Sequence, residues 1–524
     1  MEPLRIRHTE LPHASRLFTD YLYHFNRVAP FYAGCPTEPE PYRCVAREMH
    51  FPDARRAALV SALGEQNPGN KSLDRLAKPG TVAVVTGQQV GLFSGPCYTI
   101  YKALTAVKLA RKLSSEGIPA VPVFWLATED HDFAEVSHCW SFNAAQEPVF
   151  LQVEAGNSGP RPAGGIRLDN PPLNELRTSL SRLPYGDEIA TIVEDAYAPG
   201  RTLGAAFRIL AERLLPDCLL YLDPLHPSIR TLAAPILREG FAASQDLNRL
   251  LLERNRELES AGYHAQVHVD TKTSLFFHLR DGLRLPLRRR DGGYQSGDRV
   301  LSAADLAAHA EDLSPNALLR PVVQDYVLPT VAYVGGPAEI AYFAQSEVIY
   351  RTLLDRMPVS VPRASFTALD ARAAKLLKRH EATLHHCYEG LDALEAHIAA
   401  RLIPADTQEA LLSSAGSISG HIDELRAKLS KFDPTLAAAL EKSRLKIFHQ
   451  LSKIERKAAR EALRREDRAE ADAAYLFNLL NPRKHPQERL YTILPFLARH
   501  GLDFLDRVYE NVHLDTPDHV VFTA

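Results

Sequence analysis

The sequence predicts an α/β protein built on a doubly wound parallel sheet. Short β-branched runs alternate with amphipathic helical stretches through most of its first 360 residues. "TVAVVT" (81–86) and "VPVFWLAT" (121–128) read as buried strands. Between them "YTIYKALTAVKLARKL" places Ile100, Leu104, Val107 and Leu113 near one helical face, which makes a βαβ unit with a parallel pair. "DCLLYLD" (217–223) is a third strand, followed by a helix from about Ser228. "LPTVAYV" (328–334) is a fourth, closed by Gly335, Gly336 and Pro337 and followed by the helical "AEIAYFAQSEVIYRTL". In such a sheet, ligands sit beyond the carboxyl ends of the strands.

The 524 residues, 45% hydrophobic and 24% charged with a formal net charge of −3, suit a globular chain with a large core. That balance speaks against a generic binder of nucleic acid or membrane surfaces. "MEPLRIRHTELPHASRLF" has no apolar signal core, and no run approaches the length of a membrane span. Six cysteines (Cys35, Cys44, Cys97, Cys139, Cys218 and Cys387) lie scattered with no C-x-x-C pair. This argues against a zinc knuckle or a disulfide framework and points to a reducing cytoplasm.

The expected organisation is a core over 1–365, a helical coiled-coil arm over 366–482, and a segment over 483–524 that returns to the core. The first 80 residues read as mostly helical, with breaks around "GCPTEPEPY". Two stretches read as insertions into the parallel core. One, about 141–200, is rich in Pro, Gly and Asn with little periodicity. The other, about 266–320, carries short β patterns ("AQVHVD", "SLFFHL", "LRLPLRRR") separated by turns such as "RDGGYQSGD". In the arm, Leu377, Leu384, Leu391 and Ile398 recur every seven residues, and Ile422, Leu425, Leu429 and Phe432 follow 3-4 spacing. Asp433-Pro434 supplies an N-cap and first-turn proline for a helix through Leu440, Ile447, Leu451, Ile454 and Ala458, expected to run about forty residues, or about 60 Å. Apolar positions beyond what one hairpin covers (Phe448, Leu445, Leu436) predict a two-fold homodimer through the arm.

Four phrases carry candidate chemistry. In "TGQQVGLFSGPCYTIYK", Gly87, Gly91 and Gly95 with Thr86 and Ser94 form a strand-to-helix corner, with Lys102 about two turns into the helix. Amide donors there would bind phosphate or carboxylate, or the corner is an ordinary one, since neither a G-x-G-x-x-G nor a P-loop is present. In "ATEDHDFAEVSH", Glu129, Asp130, His131 and Asp132 follow a strand directly. A His among carboxylates serves as a general base, a sugar or phosphate ligand, or half of a metal site with Glu135 and His138; the plain alternative is acidic complement to a helix N-terminus. In "GYHAQVHV", Gln266 and His268 would project from one strand face. In "SPNALLRPVVQDYVLPTVAYVGGPAEIAYFAQ", Gly335 and Gly336 open a second corner, with Glu339 and Tyr342 in the following helix and Asn316, Arg320 and Gln324 nearby.

Together with "PQERLYTILPFL", these phrases resemble, in order from about residue 81 to 497, the bacillithiol biosynthesis cysteine-adding family, BshC. The resemblance implies a Rossmann-type core related to class I aminoacyl-tRNA synthetases, two connecting-peptide insertions and a coiled-coil domain that supports dimerisation. It implies a ligase that joins cysteine to the amino group of glucosaminyl-malate, with ATP consumed to ADP or AMP. The roles expected are catalysis by His131, Asp132 and Asp130, and nucleotide binding by Thr86, Gly87, Gln88, Gln89, Gly91, Ser94, Gly95 and Lys102. Substrate binding falls to Tyr98, Gln266, His268, Asn316, Gln324, Gly336, Glu339 and Tyr342. HIGH and KMSKS signatures are missing, as is the zinc-binding spacing of cysteine-activating synthetases, so no metal is expected. The rival reading is a non-catalytic nucleotide-binding scaffold of a thiol-biosynthesis complex.

Overall fold

The computed structural model describes residues 3–12, 14–154, 159–271, 273–290, 293–466 and 468–524. Five parallel strands form the central sheet: β1 (Val82–Gln88), β2 (Ala120–Leu126), β3 (Leu220–Leu222), β4 (Thr330–Gly335) and β5 (Val359–Pro362), in the order β5-β4-β1-β2-β3. Strand β2 is buried along its whole length, and β1 all but its last residue, which is why both read as continuous apolar runs. Alternate residues of β1 face opposite layers. Val82 and Val84 pack on Ala106 and Leu109 of α1 (Tyr98–Ser115), whereas Ala83 and Val85 join Ile236 and Leu237 of α2 (Pro227–Ala242) and Ile340 of α3 (Pro337–Leu353). The chain winds outward from β1 through β2 to β3, then returns to the other side of β1 with β4. The switch point therefore lies between β1 and β4.

The insertions differ from expectation in kind. The stretch expected to be aperiodic contains a hairpin (His138–Phe142 with Pro148–Gln152) and two helices, Leu173–Leu180 and Gly186–Ala196. These helices are too short for a periodic signal between prolines; residues 155–158 of "AGNSGP" lie outside the described residues. The second insertion is a five-stranded antiparallel sheet: Phe276–Arg280, Leu283–Arg290, Gly293–Ser296, Arg299–Leu301 and Leu313–Pro315. Of its expected turn "RDGGYQSGD", positions 291–292 lie outside the described residues. "AQVHVD" is no strand. The Gln345 side chain satisfies Val267 instead, accepting from its N–H at 2.8 Å and donating to its carbonyl at 2.9 Å, so the segment has no need of a neighbouring strand.

Residues near the N-terminus, otherwise mostly helical as expected, contribute one strand whose pairing is at the far end of the chain. Leu4–Ile6 runs antiparallel to His519–Thr523, which runs parallel to Phe366–Leu369.

The heptad from Leu377 to Ile398 is not a coiled coil. Its residues fall on three helices (Ala371–Arg379, Leu384–Tyr388 and Leu391–Arg401) broken at Glu381 and Gly390, both at positive φ, and they pack against Ala469–Leu480. The coiled-coil hairpin is the next pair, α4 (Ala405–Phe432) and α5 (Pro434–Arg465). Asp433 caps α5 by accepting from the Thr435 N–H at 2.7 Å, with Pro434 in the first turn as expected. At 32 residues α5 spans about 48 Å, shorter than the sequence suggests. Ile447 and Ile454 stay 39% and 53% exposed, whereas Arg444 turns inward to Asp423 of α4 at 3.1 Å. Among the described residues, no helix is long and apolar enough to cross a membrane.

Candidate active site

A cavity of about 580 Å³ opens beyond the carboxyl ends of β1, β2 and β4, at the switch point. The β1 corner forms its floor. A Cβ at Gly87 would sit a tight 3.0 Å from the Trp125 carbonyl oxygen, and Gly95 turns the chain at φ +65°. Three of the corner's amides, donors expected from the glycine spacing, are already used: Gly91 N–H donates to Gln89 O (2.9 Å), Gly95 N–H to Leu92 O (3.0 Å) and Cys97 N–H to Tyr491 O (2.8 Å). Thr86 ties β1 to β4 through the Val334 carbonyl at 2.9 Å, and the buried Ser94 hydroxyl turns to Gly95 O at 3.3 Å. Neither lines the cavity, and Gly91 and Gly95 face a smaller neighbouring hollow of about 190 Å³.

Lys102 rises from α1 into the floor, 1% exposed. Its Nζ donates to Gly87 O (2.9 Å) and Gln88 Oε1 (2.7 Å) and pairs with Glu339. Burial pushes the ammonium down against the pull of Glu339. Burial likewise opposes ionisation of Glu339, but Lys102, the Gly336 N–H at 2.7 Å and the Tyr333 hydroxyl at 2.6 Å hold its carboxyl below the usual range. Lys102 thus clamps the two glycine corners together across the switch point.

The β2 end forms the opposite wall. Asp130 accepts from Gln89 Nε2 (2.5 Å) and from the His131 N–H (2.8 Å). Buried Glu129 pairs with Arg230 and accepts from the Ser314 hydroxyl at 3.3 Å. His131 Nδ1 lies 3.1 Å from Arg284 Nη1. A guanidinium only donates, so Nδ1 accepts and the imidazole proton sits on Nε2. Burial, then Arg284, lowers the His131 pKa against Asp130 and Asp132. His131 is thereby arranged as a neutral donor, and of the roles its sequence context left open, this geometry suits a sugar ligand better than a base. Asp132 is not on the cavity wall: it caps the short helix Phe133–Val136, accepting from the Glu135 N–H at 3.2 Å. That outcome matches the plainer of the two readings of the acidic cluster.

Tyr98, Asn316, Gly336, Glu339 and Tyr342 all line the cavity. Gln324 lies fully buried behind it, where its Oε1 accepts from Arg320 at 3.0 Å. Gln266 and His268 are exposed and away from the wall, because the segment carrying them is not a strand; Val267 between them faces inward. Among the described residues, no group of three or more His, Cys, Asp or Glu is arranged to hold a metal.

Sequence reasoning missed the arginines that distant segments deliver. Arg284 comes from the inserted sheet, its guanidinium 3.9 Å from the Phe277 ring centroid. Arg363, at the end of β5, is held by Glu488 of the C-terminal segment through two bonds of 2.9 and 2.7 Å, and Arg489 reaches the mouth. No local signal marks Arg284 in "LRLPLRRR": by alternation it shares the strand face of the exposed Pro286, Arg288 and Arg290, yet it is buried.

Comparison with known proteins agrees with this architecture. Residues 4–364 match the family model described as "Bacillithiol biosynthesis BshC, N-terminal Rossmann-like domain", and residues 366–524 match "Bacillithiol biosynthesis BshC, C-terminal coiled-coil domain". Proteins named "Putative cysteine ligase BshC" are similar along nearly their whole length. The one from Solibacter usitatus is 51% identical over 99% of both chains, that from Koribacter versatilis 36% over 96% of both, and that from Salinibacter ruber 31% over 96% of this chain and 95% of its own. From its N-terminal Rossmann-like domain to its C-terminal coiled coil, this chain belongs to the BshC family.

Proposed function

We propose that this chain is a ligase that joins the carboxylate of cysteine to the amino group of glucosaminyl-malate, the final step of bacillithiol synthesis, with ATP activating the carboxylate. The observation that carries the reading is the switch-point cavity, which brings a donor histidine and a carboxylate on one wall opposite a lysine-clamped corner on the other. Amide formation needs the nucleotide to convert a carboxylate oxygen into a leaving group; the amine then attacks and loses a proton. Asp130, reaching the cavity beside His131, orients the amine and accepts that proton. The Nε2–H of His131 donates to a sugar hydroxyl or to the carbonyl under attack. Lys102 and Glu339 neutralise each other, so they shape the site rather than react in it. The six cysteines are all free thiols, which suits a chain working in a reducing cytoplasm. The exposed Ile447 and Ile454 suit a homodimer through the hairpin.

The test is mass-spectrometric detection of cysteinyl-glucosaminyl-malate made by the pure chain from ATP, cysteine and glucosaminyl-malate. Product that depends on all three supports the ligase. No product at any ATP concentration, with thiol synthesis still restored in a deletion strain by a folded Asp130→Ala variant, would favour the scaffold.

A further inference from the structure

Five cations stand on the cavity wall besides His131, and four of them are easily accounted for. Lys102 is paired with Glu339, Arg363 with Glu488, and Arg284 lies 3.5 Å from Asp130. Arg489 is exposed at the mouth. The fifth, Arg320, sits beside the Gly336 corner, and every hydrogen-bond partner it has is neutral, although Glu339 acts on it from beyond contact. Nη1 donates to Gln324 Oε1 at 3.0 Å, and Nη2 to the hydroxyls of Tyr342 (3.0 Å) and Tyr333 (3.4 Å). Among the described residues, no carboxylate lies within 4.0 Å of it.

A half-buried guanidinium with no carboxylate against it has charge left to offer, and such a group marks the place of an anion. The Tyr342 phenol extends the site. Its oxygen accepts from Arg320, and a phenol hydrogen on the cavity wall rotates to meet a bound oxygen. Guanidinium and phenol side by side offer the two-donor face that fits a carboxylate. The local charge decides between anions: with Lys102 and Arg363 already neutralised, one positive charge is left over. That balance matches a monoanionic carboxylate and not a polyphosphate, which would meet Glu339 and Glu129 as well.

We propose that Arg320 and Tyr342 together receive a carboxylate of the amino-sugar acceptor, so that a carboxylated aglycone is the feature by which this site selects its substrate. The inference rests on the ligase reading above and adds to it the group that sets acceptor specificity.

Isothermal titration of the full chain with glucosaminyl-malate, methyl glucosaminide and ATP tests it without turnover. Wild-type protein should bind glucosaminyl-malate about 30-fold more tightly than the uncharged glucosaminide, the size of effect a charge-assisted bond carries. Arg320→Met should bring that ratio close to one, and Tyr342→Phe should reduce it about fivefold, with ATP binding nearly unchanged in both. Should Arg320→Met lose its cooperative melt, Tyr342→Phe, which keeps the ring and the guanidinium, carries the test. Equal binding of the two acceptors by wild type would overturn the proposal. So would variants that lose ATP affinity while keeping the acceptor preference, since Arg320 would then be a phosphate receptor. A chain that makes no amide yet shows the preference refutes the ligase reading alone; an active ligase without the preference refutes this inference alone.

Discussion

His131 lies 3.1 Å from a guanidinium at Nδ1, and that contact determines what the imidazole can do. Replacing Arg284 by Met should remove both the donor and the cation, so the His131 pKa should rise and Nδ1 should become free. Proton and nitrogen NMR titration of the ring would read this directly; an unchanged titration curve in the variant would show that Arg284 does not set the tautomer. A second histidine governs stability. His519 is buried between Ser365 (2.7 Å) and Thr367 (2.8 Å), and burial lowers its pKa from 6.5 to about 4. Between those values the unfolded chain binds the proton and the folded chain does not. Stability is therefore full above pH 6.5 and is lost as the pH falls towards 4. The gap is worth about 3 kcal/mol. Urea midpoints measured from pH 7 to 4 should fall steeply in wild type and more gently in His519→Gln; identical slopes would contradict this. Neither role was legible in the sequence. A histidine's neighbours here are an arginine 153 positions away and hydroxyls 152 and 154 positions away, and local spacing says nothing about such distances.

Elements were legible where their cause is local. The strands β1, β2 and β4 were readable because a strand buried on both faces is apolar throughout, and the tip of the hairpin because Asp433-Pro434 caps and starts a helix by itself. Asp433→Ala should cost about 1 kcal/mol of local stability. Hydrogen exchange should quicken over the first turns of α5 and stay unchanged in the central sheet. Uniform protection in the variant would mean that the cap is redundant. The heptad from Leu377 misled for a physical reason: core-packed apolar residues at seven-residue spacing on three short helices give the same signal as one long helix. The breaks at Glu381 and Gly390 are backbone conformations that the apolar pattern does not contain. The "AQVHVD" alternation failed likewise, because a glutamine side chain took the place of a partner strand.

At the scale of the molecule, the active cavity is completed by three distant pieces: the inserted sheet through Arg284, the end of β5 through Arg363, and the C-terminal segment through Glu488. The sequence pointed to the carboxyl ends of the strands but not to these contributions, since they depend on how insertions dock. The hairpin raises the question of assembly. Its own seam uses Arg444, leaving Ile447 and Ile454 exposed. Burying such residues from two chains is worth about 6–12 kcal/mol before association costs of similar size. Ile454→Glu should therefore convert a dimer to a monomer in sedimentation velocity without lowering the melting temperature; a wild-type chain that sediments as a monomer at micromolar concentration would contradict it. The central claim is that ligation takes place at the crevice between β1 and β4. A crystal soaked with cysteine, glucosaminyl-malate and a non-hydrolysable ATP analogue tests it most directly. The expected result is density filling the 580 Å³ cavity, with the amine against Asp130 and a carboxylate on Arg320. Substrates bound elsewhere, with that cavity holding only solvent, would contradict it.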